Sequence, residues 1–374
     1  MNQHNKLREV ALLFFKLGCI GFGGPAVHIA LMEEEVVRKR KWISPEHFLD
    51  LVGATNLIPG PNSTEMTMHC GHERAGWKGL IVAGACFIIP AVIITAIFAW
   101  AYQEYGQLPQ VQPFIYGIAP AIISVIVAAM LSLGKKALKS VLLGVIGLIS
   151  MFAVLWGFNE ILVLFSAGLL GILIHLIRQS TKNIHGFLPF TLLQAGLYLH
   201  ELPASKLFLI FLKVGAILYG SGYVLFAFLD AELVSKGFMS KQLLVDAIAV
   251  GQFTPGPVFT AATFIGWQLG GWAGAIAATI GIFLPSFLFV YFLNPLIPAL
   301  RKSAIMSAFL DTVNIVSIAI IFAVCIEMGK EAIGDWRTAL IAVLGFFVSY
   351  YFKQINSAFI VIGGAIAGYF LSFF

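Results

Sequence analysis

Apolar residues run almost unbroken along the chain, with short polar segments between them. The cleanest apolar runs lie at 79–102, 112–133, 272–293 and 304–328, and shorter or paired runs lie at 139–156, 160–177, 337–352 and 355–373. A helix needs about 20 apolar residues to cross the hydrocarbon core of a bilayer. Because the alternation typical of strands is absent, the pattern predicts an all-α, polytopic membrane protein.

Four further apolar runs are unusual because each contains helix-breaking residues. They lie at 8–30, 46–70, 205–229 and 241–267, and carry Gly-Phe-Gly-Gly-Pro, Pro-Gly-Pro, Tyr-Gly-Ser-Gly and Pro-Gly-Pro respectively. Proline removes a helical hydrogen bond. Irregular backbone inside a bilayer persists only where protein or water satisfies its polar groups. The pattern therefore predicts broken helices in the protein interior.

The two Pro-Gly-Pro triplets belong to an internal repeat. FFKLGCIGFGG at 14–24 is similar to IFLKVGAILYG at 210–220. In register with them, Lys16 matches Lys213, Glu33 matches Asp230, Glu35 matches Glu232, Asp50 matches Asp246, Pro59-Gly60-Pro61 matches Pro255-Gly256-Pro257, Gly76-Trp77 matches Gly271-Trp272, and Pro90 matches Pro285. These identities predict two homologous repeats at 1–180 and 204–374, joined by a linker at 181–203.

Composition and loop charges extend this interpretation. The chain is 59% hydrophobic and 11% charged, whereas soluble domains carry about 25% charged residues. In the first half, Lys and Arg gather at 38–41, 74–78, 135–139 and 178–182, but the loops at 103–111 and 157–160 contain neither. Basic loops face the cytoplasm. The basic loops can all lie in the cytoplasm, and the two loops without Lys or Arg outside, only if the segment 46–70 enters and leaves the membrane on the same side. This predicts a re-entrant hairpin with Pro-Gly-Pro at its turn.

The charges leave the orientation of the second half open. Two groups of basic residues in this half favour different orientations. One group is Arg301, Lys302 and Lys353, and the other is Lys236, Lys241, Lys330 and Arg337. An inverted second half requires one more crossing between the repeats, and the short apolar segment at 187–199 is the one candidate. Because inverted repeats are common in transporters, we expect inversion.

Each Pro-Gly-Pro predicts a helix that begins inside the protein. Pro61 and Pro257 suit the first position of a helix, where the missing N–H is not needed. The bare N–H groups and partial positive charge of a helix start attract anions. Isolated prolines and glycines often only kink helices or let them pack. Matched breaks in both halves instead favour a transporter binding site.

The candidate substrate-binding residues are the small and polar residues near the breaks, together with two lysines. They are Gly23, Gly24, Pro25, His28, Asn56, Pro59, Gly60, Pro61, Asn62, Ser63, Thr64, Ser221, Thr254, Gly256, Thr260, Lys16 and Lys213. The two lysines also fit side chains that extend to the membrane surface, and His28 also fits a packed histidine. Candidate proton carriers are Glu65, Glu33 and Asp50, with Asp230 and Asp246 as the counterparts of the last two.

The ordered motifs resemble a known family. GFGGPAVHIALMEEEVVRKRKWIS, FLDLVGATNLIPGPNSTEM and HERAGWKGLIVAGACFIIPA are similar to the signature of the chromate ion transporter family. The second half, with AVGQFTPGPVFTAATFIGW, resembles that family's diverged second domain. The resemblance implies a plasma-membrane exporter of chromate, energised by protons or by anion exchange, with halves of opposite orientation. It picks out Phe22 and the first-half break residues, and Val258 in place of Asn62 implies unequal half-sites.

Other functions remain open at this stage. Sulfate has the same charge and nearly the same shape as chromate, so sulfate uptake is an alternative, as is a passive anion channel. An enzyme is not expected, because the sequence shows no CxxC pair and no nucleotide motif. We expect no cofactor and no metal, since His69-Cys70-Gly71-His72 offers too few ligands for zinc. The expected partners are an oxyanion and membrane lipid, not nucleic acid, and a homodimer remains open.

Overall fold

The computed structural model describes residues 3–22, 24–55, 57–106, 108, 110–178, 203–219, 222–293, 303–352 and 355–373, and this part is helical without strands. The first half contains α1 (Gln3–Ile20), α2 (Pro25–Met32), α3 (Pro45–Thr55), α4 (Asn62–Tyr105), α5 (Gln112–Ala137), α6 (Val141–Leu155) and α7 (Glu160–Arg178). The second contains α8 (Ala204–Ile217), α9 (Val224–Leu229), α10 (Lys241–Phe253), α11 (Ala261–Leu293), α12 (Ala304–Ala332), α13 (Trp336–Tyr351) and α14 (Ser357–Leu371).

Three short irregular helices extend these elements. α2 continues into a π-helical segment at Glu33–Lys39, α9 continues into another at Asp230–Val234, and a 3₁₀ turn at Val258–Thr260 leads into α11. Most of the predicted linker, with its candidate crossing at 187–199, lies outside the described residues, as do Gly23, Asn56 and Ser221.

Several helices have the length and composition of membrane spans. In the described part of the chain these are Asn62–Tyr105, Gln112–Lys135, Glu160–Ile177, Val258–Phe292 and Ala304–Ala332. Shorter apolar helices at Val141–Leu155, Trp336–Tyr351 and Ser357–Leu371 accompany them. The chain is therefore an all-α, multi-pass membrane protein, as the sequence predicts.

The long helices α4 and α11 each consist of two antiparallel helices joined by a tight reversal. The reversal in α4 lies at Ala75 and Gly76, and Gly76 has a φ of 67°; in α11, Gly271 has a φ of 58°. Such left-handed conformations favour glycine. We call the parts of α4 before and after the reversal α4a (62–74) and α4b (77–105), and the corresponding parts of α11 α11a (261–269) and α11b (272–293).

α3 and α4a form an antiparallel hairpin in the segment that is predicted to be re-entrant. His47, near the start of α3, pairs with Glu73, near the end of α4a, at 3.3 Å between Nε2 and Oε2. The two helices therefore run in opposite directions, with Pro59-Gly60-Pro61 at the turn between them. The start of α1 lies at the same end of the molecule, because Arg74 pairs with Glu9 at 2.6 Å. We call this the α1 end.

The second half repeats this arrangement. Lys206, at the start of α8, lies 4.5 Å from the ring centroid of Phe238, which follows α9 and its π-helical extension. The chain therefore returns to the point where α8 begins, which we call the α8 end. A Cβ on Gly18 of α1 would meet the carbonyl oxygen of Phe87, and a Cβ on Gly215 of α8 would meet that of Ile282. The two first helices thus pack on their long neighbours at equivalent positions.

The helices form two bodies. The core contains α1–α4 and α8–α11, and the bundle contains α5–α7 and α12–α14. Within the bundle the halves exchange partners: α5 packs on α13 and α14, while α12 packs on α6 and α7. The bundle rests mainly on α9 and α10 of the second half, and the equivalent α2 and α3 make no extensive contact with it among the described residues.

The reversal in α4 requires close helix packing, which gives a test of the fold. A Cβ at Gly71 would collide with the backbone of Gly79 across the hairpin, whereas a Cβ at Gly329 in α12 would meet open space. Alanine favours a helix over glycine by about 1 kcal/mol. We expect Gly71→Ala nevertheless to lose about 2 kcal/mol of stability and Gly329→Ala to lose none. Thermal unfolding in detergent measures both, and equal midpoints would contradict the hairpin.

Candidate functional site

The four helix breaks meet at the centre of the core. The Gly60 N–H donates to the Leu218 carbonyl oxygen at 2.8 Å, and the Gly256 N–H donates to the Gly21 carbonyl oxygen at 2.8 Å. Gly21 and Leu218 occupy equivalent positions in the repeat, as do Gly60 and Gly256. Each bond therefore joins the Pro-Gly-Pro of one half to the first break of the other. We call the meeting point defined by these four residues the junction.

Glycine is needed at the junction for two reasons. Gly60 has a φ of 137° and Gly256 a φ of 85°, in the region that side chains rarely adopt. A Cβ on Gly60 would also collide with the carboxylate of Glu65 and the hydroxyl of Ser286, and a Cβ on Gly256 would lie 2.9 Å from the Cβ of Ala91. The backbone therefore approaches its neighbours more closely than another residue would permit.

Glu65 is the central titratable group of the junction. It lies in the first turn of α4 and is fully buried. Its Oε1 accepts a hydrogen bond from the Ser286 hydroxyl of the second half at 3.2 Å, while its Oε2 has no partner. Tyr219 lies close enough for the Glu65 charge to act on it. Residues of both halves thus surround one carboxyl group.

The start of α4 offers further unused hydrogen-bonding capacity. No side chain caps this helix, and its first-turn residues Ser63 and Thr64 are buried. The Thr64 hydroxyl has no hydrogen-bond partner. Buried polar groups in proteins are normally paired. A buried helix start with an unpaired hydroxyl is therefore suited to hold a small polar ligand, and its partial charge favours an anion.

The corresponding turn of the second half is already satisfied. The Thr260 hydroxyl donates to the Pro257 carbonyl oxygen at 2.9 Å, and it lies 3.5 Å from the Thr254 hydroxyl. Val258 and Ala261 stand where the first half has Asn62 and Glu65. The two half-sites are therefore chemically unequal.

His28 supports the junction from α2. Its Nε2 donates to the Gly21 carbonyl oxygen at 2.8 Å, which is the same oxygen that receives the Gly256 N–H. The ring is buried edge-on against Phe87. His28 therefore holds one of the two carbonyl groups that link the halves. Gly24, with a φ of 81°, and Pro25 begin the same helix.

The two candidate lysines pair with carboxylates. Lys16 lies 3.4 Å from Glu35, and Lys213 lies 2.7 Å from Glu232. Burial raises the pKa of both carboxyl groups, but the hydrogen bonds and charges of neighbouring lysines outweigh it and hold each pKa below its ordinary value. Neither lysine forms a described ion pair with a residue of the breaks.

The rival proton carriers lie away from the junction. Glu33 is half-exposed and pairs with Arg38 at 3.2 Å, and Asp50 is exposed. Asp246, the counterpart of Asp50, is buried and accepts a hydrogen bond from the Tyr102 hydroxyl at 2.6 Å.

The residues that sequence reasoning missed are Ser286 and Tyr219. Ser286 follows the repeated proline Pro285, and the first half has Ala91 at that position, so a polar substitution at a repeat position was the available signal.

Comparison with known proteins identifies relatives of this chain. The family model described as "Chromate transporter" matches residues 8–172 and again residues 205–369. A "Chromate transport protein" of Cupriavidus metallidurans is 29% identical over 97% of this chain and 92% of its own length. A "Probable chromate transport protein" of Synechococcus elongatus is 28% identical over 97% of this chain and 95% of its own length. The "Uncharacterized transporter YwrB" of Bacillus subtilis is 30% identical over 37% of this chain and 70% of its own length. No solved structure matches the chain.

The close approach at Gly60 predicts a specific defect. Gly60 and Gly237 both have positive φ, but only at Gly60 would a Cβ collide with Glu65 and Ser286. A non-glycine residue in this region costs about 1–2 kcal/mol of backbone strain. We therefore expect both alanine variants to share that strain, but only Gly60→Ala to abolish oxyanion flux in proteoliposomes. Equal flux in the two variants, at equal amounts of folded protein, would show that this contact is dispensable.

Proposed function

Because the chain belongs to the chromate transporter family, we propose that it is a secondary transporter that exports chromate across the plasma membrane. It acts by alternating access, with the junction as the substrate site, and it catalyses no chemical reaction. The observation that carries the proposal is the buried start of α4, where Glu65 and Thr64 have unpaired oxygen atoms between the two halves.

Contacts at the far end of α4b support opposite orientations of the two halves. α4b starts at the α1 end, and its last turns reach the second half. There Tyr102 donates to Asp246 at 2.6 Å, and the Trp267 indole donates to the side-chain oxygen of Gln103 at 2.7 Å. Asp246 lies early in α10 and Trp267 late in α11a, so both lie towards the α8 end. These contacts support a position of the α1 end and the α8 end on opposite sides of the core.

The charges support a cytoplasmic position for the α1 end. At the α1 end, the segment at 38–41 is basic throughout, and its basic character favours a cytoplasmic position. At the α8 end Lys241 pairs with Glu327 at 3.0 Å and Lys236 pairs with Glu232 at 2.7 Å. Arg38 and Lys39 at the α1 end are paired with glutamates in the same way, so ion pairing does not distinguish the two ends.

The junction offers a tetrahedral dianion several kinds of donor. Backbone N–H groups and the Thr64 hydroxyl lie at the start of α4, and Ser286 and Tyr219 approach from the second half. An ionised Glu65 at the same place would repel a dianion, whereas a protonated Glu65 would donate a hydrogen bond to it. Substrate and proton therefore bind with positive coupling, and each raises the affinity for the other.

This coupling sets the electrical driving force. A membrane potential is worth about 2.3 kcal/mol per charge per 100 mV. A dianion that moves with one proton carries one net negative charge, so a negative cell interior drives its export by about that amount. Exchange of one inward proton for the outward dianion would move three charges in the same favourable direction, so the electrical term does not decide between the two modes. The positive coupling of proton and substrate binding favours movement of the proton together with the anion.

Alternating access is supported by the unequal contacts of the bundle with the two repeats. The bundle packs on α9 and α10 but not extensively on the equivalent α2 and α3. If the two repeats exchange conformations, the bundle shifts its contact from one repeat to the other. The junction then opens to opposite sides of the membrane in the two states.

Substitution of Glu65 tests the proton coupling. A glutamine resembles the protonated acid, so Glu65→Gln is expected to keep chromate exchange at equal pH and to lose its stimulation by acid on the side from which chromate enters. The loss should be at least about tenfold, the scale of a positioned proton-transfer group. Glu33→Gln, which removes a half-exposed carboxylate, is the matched control.

Flux into proteoliposomes of known orientation measures these effects, with sulfate added as competitor. Acid stimulation that survives in Glu65→Gln would contradict the role of Glu65. Stimulation by acid on the opposite side would contradict movement of proton and anion together. Sulfate transport that exceeds chromate transport would favour the sulfate alternative, and currents without accumulation would favour a channel.

Crosslinking tests the movement of the bundle. Lys241 of α10 and Glu327 of α12 join the core to the bundle, whereas Lys139 and Asp311, at 2.6 Å, join two parts of the bundle. Each pair is replaced by cysteines in a variant that lacks the four native cysteines and is joined with a short bifunctional maleimide. We expect the first crosslink to stop flux and the second to leave it intact. Undiminished flux through the first crosslinked protein would rule out this movement.

A further inference from the structure

His69 is a buried histidine that the junction does not explain. It lies in α4a, four residues after Glu65, and is 1% exposed. Residues at this spacing share one face of a helix. Neither ring nitrogen of His69 has a hydrogen-bond partner. An unsatisfied buried polar group costs about 1–3 kcal/mol, so packing alone gives no reason for a histidine at this position.

Titratable groups continue from His69 to the α1 end. His47 and His72 lie close enough to His69 for their charges to act on it. His47 pairs with Glu73 at 3.3 Å, and the side chains of these two residues are 47% and 33% exposed. We call His47, Glu73, His72, His69 and Glu65 the row. It begins at groups that contact solvent and ends at the fully buried Glu65.

The spacing of the row suits stepwise proton transfer. Four residues of helix advance about 6 Å, a gap that one water molecule or a rotamer change closes. Among the described residues near α4a, Tyr219 of the second half lies near Glu65, His47 of α3 lies near His69, and Glu9 of α1 is already paired with Arg74. Met32 also contacts this helix, and its sulfur accepts a hydrogen bond from the Thr67 hydroxyl.

A metal site is a poor explanation for the row. No group of three or more His, Cys, Asp or Glu side chains in the described part of the chain is arranged to hold a metal ion. Cys70, next to His69, packs in an apolar cluster with Val36 and Phe87. In the second half, Phe264 and Ile265 stand at the positions of His69 and Cys70. Only the first repeat therefore contains the row.

We propose that His69 carries protons between the His47–Glu73 pair and Glu65, so that Glu65 receives its proton from the α1 end. The proposal rests on the proton coupling assigned to Glu65 above. In each proton transfer through His69, one imidazole nitrogen accepts a proton while the other nitrogen releases its own proton to the Glu65 carboxylate. The ring is left neutral in its other tautomer, and rotation of the ring or transfer in reverse restores it.

Replacement of His69 separates this role from substrate binding. His69→Gln keeps a polar side chain of similar length but does not relay protons. We expect it to retain chromate exchange at equal pH and to lose acid-stimulated flux by at least about tenfold. His175→Gln, in the bundle helix α7, is the matched control and should behave as the unchanged protein. With His69→Ala, added imidazole should restore part of the acid-stimulated flux.

The outcomes distinguish the two proposals. If the unchanged protein shows no acid stimulation, the proton coupling of the proposed function is wrong, and the role of His69 falls with it. If the unchanged protein is stimulated and His69→Gln is stimulated equally, the role of His69 alone is wrong. Loss of exchange together with stimulation, or failure of imidazole to rescue, would make His69 a structural or substrate-binding residue and would also overturn the relay.

Discussion

The architecture depends on the requirement that backbone polar groups inside a membrane find partners within the protein. A helix broken at mid-depth leaves such groups unpaired. Here Gly60 and Gly256 each donate their N–H to a carbonyl group at a break of the other repeat, Leu218 and Gly21. The breaks are therefore stable only where all four meet. The same arrangement places a helix start, with its anion-binding character, in the protein interior.

The sequence predicts much of this arrangement because proline and glycine act locally. Pro-Gly-Pro at 59–61 marks the turn of the re-entrant hairpin, and the repeat register shows that 255–257 is its counterpart. Other features depend on distant contacts. Lys16 and Glu35 lie 19 residues apart, so their pairing follows from the antiparallel course of α1 and α2 rather than from any motif. The exchange of partners between α5 and α12 likewise has no signature in the local pattern.

The candidate site is less predictable than the fold because its chemistry comes from both repeats. Glu65 is visible as a carboxylate within an apolar run, but its contact with Ser286 spans 221 residues. His69 is present in the sequence as part of a motif that resembles a metal site, and only its burial without a partner points to another use. The repeats share a backbone and differ in these side chains, so one scaffold provides two unequal chemical environments.

The reciprocal bonds between Gly60 and Leu218 and between Gly256 and Gly21 also constrain how such a protein assembles. Neither repeat can complete its own turns, because the carbonyl group that each turn needs belongs to the other. A chain that carried one repeat would meet this need only by associating with a second chain. Fusion of the two repeats into one polypeptide makes that association obligatory, and it allows each repeat to specialise without losing its partner.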